Sequence, residues 1–282
     1  NNETTSDLLI LATGQSDFVT LGGGSDAVSL GNGDDYVNAA NASNDSINLG
    51  AGNDTVEFAS DMSSADTVLG DSGTDVLTYT DTSSVTGGEL NNVYDIERVV
   101  VSGTNINLTL TDSVFSATAG SGVGSDATID ASAGTRLTLN ASAESASDLL
   151  IIGTSDADNI TLGGGSDAVS LGGGNDYVDA SSISADSINL GANDDTVAFV
   201  NALDSLDAVL GGSGTDVLTY TDMSSLSGAE LDNVTDIERV VVSGTDINLT
   251  LTNTVFSETA GSGVGSDATI DASSGTRLTL NA

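Results

Sequence analysis

Aspartate recurs on a near-regular beat, at Asp17, Asp26, Asp35, Asp45, Asp54, Asp66 and Asp75, with intervals of 9, 9, 10, 9, 12 and 9 residues. Two residues after each stands an aliphatic side chain: Val19, Val28, Val37, Ile47, Val56, Val68 and Leu77. A second series, Asp158, Asp167, Asp176, Asp186, Asp195, Asp207 and Asp216, is followed in the same way by Ile160, Val169, Val178, Ile188, Val197, Val209 and Leu218. Two residues further on most positions are again apolar, as at Leu21, Leu30, Leu49, Phe58 and Tyr79. Each segment therefore has the period-2 face of a short strand. Between the segments lie runs of glycine and aspartate, which favour turns and disfavour helix.

A strand of about three to five residues with one or two inward aliphatics buries too little to offset the cost of ordering its backbone. Stacking supplies the missing partners. Two nine-residue segments make one turn of a parallel solenoid, each strand pairing with the segment two ahead, and the aliphatics form inward ladders. The expected fold is thus all-β, a parallel β-roll or β-solenoid. Laying residue 1 on residue 142 aligns the chain at a constant offset of 141 without a gap, with 101 of 141 positions identical. This predicts two tandem units, 1–141 and 142–282. Residues 7–79 and 148–220 form the rolls, and 80–141 and 221–282 are additional β segments without the nine-residue beat. Beginning and ending on the repeat boundary, the chain reads as a stretch of a longer array.

Within 80–141 the pattern predicts a short helix at Thr86-Gly-Gly-Glu89 and strands near 96–101, 106–110, 127–129 and 137–139. Continuation of the solenoid and a small β-sandwich both fit, the strand at 149–152 favouring continuation. Residues 99–141 are the better preserved part, with 38 of 43 positions identical between copies, a pattern that suits either a contact between units or recent duplication.

The side-chain chemistry is narrow. Forty-two acids face four arginines and no lysine, a net charge of −38, and cysteine, histidine and proline are absent. Nucleic acid is excluded for want of a cationic footprint, as are thiol chemistry and imidazole acid–base work. The longest apolar runs are too short to span a bilayer. Aspartates from stacked turns would lie roughly 4.8 Å apart, a ladder of like charge that opposes its own folding. A hard divalent cation resolves the conflict. Calcium takes six to eight oxygen ligands, carboxylates and turn carbonyls alike, whereas magnesium wants a tighter octahedron and transition metals want imidazole or thiolate. The competing reading, that each aspartate only caps its own turn, does not require carboxylate in register fourteen times.

The segments Gly22-Gly-Gly-Ser-Asp26-Ala-Val28, Gly31-Asn-Gly-Asp-Asp35-Tyr-Val37 and Gly50-Ala-Gly-Asn-Asp54-Thr-Val56 resemble the glycine-rich calcium-binding nonapeptides of RTX proteins. The resemblance implies a parallel β-roll whose turns bind several calcium ions per unit, and secretion by a type I system from a Gram-negative bacterium. The expected metal residues in the first unit are Asp17, Gly22, Gly24, Asp26, Gly31, Gly33, Asp35, Asp45, Gly50, Gly52, Asp54, Asp66, Gly73 and Asp75. In the second they are Asp158, Gly163, Gly165, Asp167, Gly172, Gly174, Asp176, Asp186, Asp195, Asp207, Gly214 and Asp216. Three turns depart from the pattern. Asn41-Ala-Ser-Asn-Asp45 and Ser60-Asp-Met-Ser-Ser-Ala-Asp66 lack glycine and predict wider loops with weak or absent sites, and Ala192-Asn-Asp-Asp195 replaces Ala51-Gly-Asn-Asp54.

Arg98, Arg239, Arg136 and Arg277 read as local ion-pair partners, and Tyr36 and Tyr177 as surface or edge packing. The expected role is a calcium-rigidified structural repeat of a large secreted bacterial protein, an adhesin stalk, extracellular filament or surface layer, its partners being neighbouring copies of the repeat. The alternative is a calcium-dependent module recognising a glycan or another surface protein. Ice is excluded by the mixed outward positions Thr20, Ser29, Asn38, Asn48, Glu57 and Leu69. An enzyme is not expected, because nothing separates a catalytic carboxylate pair from a metal-binding one.

Overall fold

The computed structural model describes residues 5–40, 44–59, 62–80, 87–112, 114–115, 126–221, 225–226, 228–252, 254–256 and 268–282. The first 141-residue unit contributes β1 (Leu9–Leu11), β2 (Phe18–Thr20), β3 (Ala27–Asn32), β4 (Tyr36–Asn38), β5 (Ser46–Ala51), β6 (Thr55–Phe58), β7 (Thr67–Ser72) and β8 (Val76–Tyr79). There follow α1 (Gly87–Leu90), β9 (Val93–Tyr94), β10 (Arg98–Val101), β11 (Thr104–Thr111), β12 (Ala127–Asp130) and β13 (Thr135–Ala143). The second unit runs through β14 (Leu149–Ile152), β15 (Asn159–Thr161), β16 (Ala168–Ser170), β17 (Tyr177–Asp179), β18 (Ser187–Ala192), β19 (Thr196–Val200), β20 (Ala208–Ser213), β21 (Val217–Thr221) and β22 (Ser225–Leu226). It ends with α2 (Gly228–Leu231), β23 (Val234–Thr235), β24 (Arg239–Val242), β25 (Ile247–Thr250), β26 (Thr269–Asp271) and β27 (Leu278–Asn281).

Strands two apart pair in parallel and build a β-solenoid. One sheet is β1-β3-β5-β7-β9, and the opposite, longer one is β2-β4-β6-β8-β10-β12-β14-β16-β18-β20-β23. A third sheet, β11-β13-β15-β17-β19-β21-β24-β26, takes over where the first ends, and a fourth is β22-β25-β27. Every expected inward aliphatic stands in register with its counterpart one coil on. In the long sheet the column runs Val19, Val37, Val56, Leu77, Val99, Ile129, Ile151, Val169, Ile188, Val209, Val234 without a gap. Phe58 and Phe199, at equivalent places in the two units, are fully enclosed, and all these side chains belong to one core. Burial of a Val or Leu is worth about 1.5–3 kcal/mol, so each coil becomes stable only through the coils above and below it.

The unbroken column passes through Val99 and Ile129 into the second unit. It decides the question left open by the sequence, since residues 87–112 and 126–141 continue the solenoid. The strands expected there appear as β10 to β13, and the short helix appears as α1, with Thr86 outside the described residues. α1 packs against β11 at the point where the first sheet gives way to the third.

The units are also related in a way that the sequence pattern does not announce. From β1 to β21 successive described strands alternate between the long sheet and the first or third sheet. β14, the sequence equivalent of β1, therefore lies in the long sheet opposite that of β1. Likewise β15, the equivalent of β2, lies in the third sheet. Consecutive units differ by a half-turn about the solenoid axis.

Candidate metal centre

Each aspartate on the beat sits immediately before its strand, and all but Asp66 and Asp207, whose N–H groups donate to Ser63 O and Asp204 O in their own turns, are tied to the next coil. The N–H of each tied residue donates to the carboxylate of the acid one coil on: Asp26 to Asp45 Oδ1 (2.8 Å), Asp35 to Asp54 Oδ1 (2.7 Å), Asp54 to Asp75 Oδ1 (2.9 Å). In the second unit Asp158 donates to Asp176, Asp176 to Asp195 (both 2.7 Å), Asp167 to Asp186 (3.0 Å) and Asp195 to Asp216 (2.9 Å). The carbonyl of the same residue accepts the first strand N–H of that coil, as Asp35 O does from Thr55 and Asp176 O from Thr196 (both 2.9 Å). The register of the turns is thereby locked to the register of the strands.

One oxygen of each carboxylate is thus used. The other, Oδ2, has no hydrogen-bond partner and is sealed from solvent in Asp26, Asp35, Asp45, Asp54, Asp75, Asp167, Asp176, Asp186, Asp195 and Asp216. These residues are at most 3 % exposed. Burial, aided by the neighbouring carboxylates, pushes Asp167 up to about 8, Asp176 and Asp186 to about 7, and Asp45, Asp75 and Asp216 to about 6. A buried carboxylate with an unmet lone pair is costly and is relieved by a proton or a cation. Lysine is absent, and three of the four arginines are committed elsewhere. Arg98 pairs with Asp130 (2.6 Å), Arg239 with Asp271 (2.7 Å) and Arg277 with Asp246 (3.0 Å), while Arg136, expected to pair as well, is exposed and makes no ion pair among the described residues.

The glycines close the turns by letting carbonyls approach. A Cβ on Gly50 (φ +101°) would stand 2.1 Å from Gly31 O, one on Gly52 1.9 Å from Gly33 O, and one on Gly73 1.6 Å from Gly52 O. A column of carbonyl oxygens therefore runs along the edge beside the carboxylates. Among the described residues no three acidic side chains converge on one point. An ion held here would take its ligands from carboxylates of successive coils and from turn carbonyls together, the mixed oxygen set that calcium accepts.

The expected site residues divide on this geometry. Asp26, Asp35, Asp54, Asp75, Asp167, Asp176, Asp195 and Asp216 follow the glycine-bearing or asparagine-bearing turns and keep a free oxygen. Asp45 and Asp186 keep one too, although their turns lack glycine; residues 41–43 lie outside the described chain. Four others are saturated by their own turns. Asp17 Oδ2 accepts from Thr13 N–H (2.8 Å) and Oγ1, and Asp158 from the same groups of Thr154. Asp66 Oδ2 accepts from Ser63 N–H and Asp207 Oδ2 from Asp204 N–H (both 2.7 Å). For these four the turn-capping reading describes the contacts. The turn at Asn193 keeps its shape, because Gly191 is retained (φ +110°) and Asn193 adopts φ +86° in place of Gly52, a conformation asparagine tolerates. Gly24, Gly31, Gly33, Gly165, Gly172, Gly174 and Gly214 also carry positive φ; Gly22 and Gly163 do not.

Two ladder members lie outside the expected set. Asp75 N–H donates to Glu97 Oε2 (2.7 Å) and Asp216 N–H to Glu238 Oε2 (2.8 Å), so in each unit a glutamate ends the column that contains Asp54 or Asp195. Both lie in the repeated Asp-Ile-Glu-Arg-Val, beside Arg98 and Arg239. A second, outer ladder uses the residue before each aspartate. Asp34 Oδ1 accepts from Asn53 N–H, and Asn53 Oδ1 from Thr74 N–H, both at 2.9 Å. Tyr36 packs at the surface as expected, stacked on Phe18 with ring centroids 4.8 Å apart and its hydroxyl on Glu57.

A comparison with known families matches this edge. The model of the RTX calcium-binding nonapeptide repeat (4 copies) matches residues 9–38, 39–61 and 150–180. The chain carries RTX calcium-binding nonapeptide repeats, folded as a β-solenoid. No curated protein and no solved structure matches it.

Proposed function

We propose that this chain is a calcium-stiffened structural repeat of a secreted surface protein, in which ions shared between coils hold the solenoid together. The observation that carries the reading is the file of ten buried Oδ2 atoms without a partner, set beside turn carbonyls in a chain with almost no basic side chains. Asp26, Asp35, Asp45, Asp54 and Asp75, with Asp167, Asp176, Asp186, Asp195 and Asp216, supply the carboxylates, and the glycine turns supply the carbonyls. The bound ion neutralises the file and ties one coil to the next. A ligand at about 100 times its dissociation constant contributes roughly 2.7 kcal/mol per site, so several sites decide whether such a chain folds. Where calcium is scarce, repulsion keeps the chain extended; outside the cell, millimolar calcium folds it. Secretion and a surface location fit the acidity and the repeat type, and further copies of the repeat are the natural neighbours. No described helix is long and apolar enough to cross a membrane.

Equilibrium dialysis against calcium and magnesium tests the reading. Several calcium ions per chain, bound at submillimolar concentration and not displaced by equimolar magnesium, are expected. A chain that binds no calcium at neutral pH overturns it.

A further inference from the structure

The turn between β13 and β14 opens the second unit and contains no glycine, yet it stacks directly beneath the glycine turn 163–167. Its central acid, Glu144, is 1 % exposed. Glu144 Oε1 accepts the N–H groups of Ala146 (3.0 Å) and Ser147 (2.8 Å), while Oε2 is buried without a partner. The turn stacked on it, whose Gly164 N–H donates to Glu144 O (2.9 Å), ends in Asp167, fully buried, whose Oδ1 accepts Leu149 N–H (2.9 Å) and whose Oδ2 is also unpartnered. Glu144 is close enough to act electrostatically on Asp167, as are Asp148 and Asp186.

Backbone oxygens complete the surroundings. A Cβ on Gly163 would lie 2.3 Å from both Ala141 O and Glu144 O, and one on Gly164 2.4 Å from Ser145 O. Only glycine lets these carbonyls crowd the gap. No basic side chain reaches it: Arg98, Arg239 and Arg277 are paired elsewhere, and Arg136 is exposed at the far end of β13, eight residues or roughly 25 Å along an extended strand.

We propose that Glu144 and Asp167 hold a calcium ion that clasps the turn opening the second unit to the glycine turn of the next coil. Glu144 lies outside the matched nonapeptides, which resume at residue 150, and its turn lacks their glycines. Glutamate suits the place because its longer arm reaches back over the turn that it also caps. A capping role by itself would need one oxygen, and Glu144 buries two.

The inference rests on the calcium reading above, and the experiment keeps the two apart. Calorimetric titration of calcium into the full chain is compared with Glu144→Gln, which preserves shape and the acceptor for Ala146 and Ser147 but removes the charge. One ion fewer in the variant, with faster amide exchange confined to residues 141–167 in saturating calcium, is expected. Equal ion counts and equal protection overturn the proposal while leaving the calcium reading intact. Absence of calcium binding in the wild-type chain removes both. If Glu144→Gln does not fold, crystals of the wild-type chain with lanthanide in place of calcium decide: an anomalous peak at ligand distance from Glu144 Oε2 supports the clasp, and none there overturns it.

Discussion

A buried aspartate with one satisfied and one orphaned oxygen is an unstable arrangement for an anion, and its titration carries a direction. Asp167, Asp176 and Asp186 stand at about 7 to 8, and Asp45, Asp75 and Asp216 at about 6. Unfolded, each returns to about 4. Between those values the folded chain binds more protons than the unfolded one, so the metal-free fold loses stability as pH rises. The calcium-free chain should therefore be most stable near pH 4 and unfold as pH passes through 6 to 8. Thermal melts in metal-stripped buffer across that range check this; a metal-free chain more stable at pH 8 than at pH 4 contradicts it. Calcium reverses the trend by replacing the proton, and its binding at pH 7 should release protons measurable in weakly buffered solution. Which carboxylates would be orphaned was only half legible in the sequence. The beat identifies all fourteen aspartates alike, but whether Thr13 or Ser63 satisfies the second oxygen depends on how each turn closes. Glu97 and Glu238 escaped because they take the ladder position off the beat.

Strand existence was the most legible feature at the scale of elements. A period-2 pair after each aspartate specifies both the strand and its inward face, as Val56 and Phe58 in β6 show at 0 % exposure. Even in the segment without the beat, Val99 and Ile129 stand in register with Leu77 and Ile151, because the inward column needs an aliphatic at every rung. Choosing between a continued solenoid and a separate sandwich required the pairing partners, which lie one coil away rather than next in sequence. The turns impose a sharper rule than the strands. Gly50 combines φ +101° with a carbonyl 2.1 Å from any Cβ, whereas Gly14 has only the Asn32 side chain, 3.7 Å away. Gly50→Ala should destabilise the calcium-loaded chain by roughly 2–4 kcal/mol, through strain and displacement of Gly31 O. Gly14→Ala should stay within about 0.5 kcal/mol. Urea midpoints in saturating calcium distinguish the two, and equal midpoints would refute the turn argument.

The two-unit molecule is more than a strand column repeated. The second unit enters on the side of the solenoid opposite to the first, so a given surface residue appears on opposite sides in the two. A face that Ser29 occupies on β3 is matched by Ser170 on β16, across the solenoid. The sequence offset of 141 measures the unit but is silent on its rotation, since a half-coil more or less leaves the identity pattern unchanged. A chain without cysteine lends itself to the test. In Thr128→Cys/Leu150→Cys the thiols sit on paired positions of β12 and β14 and should be bridged by a short bifunctional reagent. Thr138→Cys/Leu150→Cys places one on β13, across the core, and should resist; the reverse outcome would mean that the second unit restarts on the same side as the first.

The claim beneath all three scales is that the orphaned aspartate file needs calcium to fold at neutral pH. Far-ultraviolet circular dichroism of the metal-stripped chain at pH 7.5, followed through a calcium titration, measures it directly. A weak, unordered signal that converts cooperatively to β structure as calcium rises, and reverts on chelation, is the expected result. A full β signal in excess chelator, unchanged by calcium, would contradict the account.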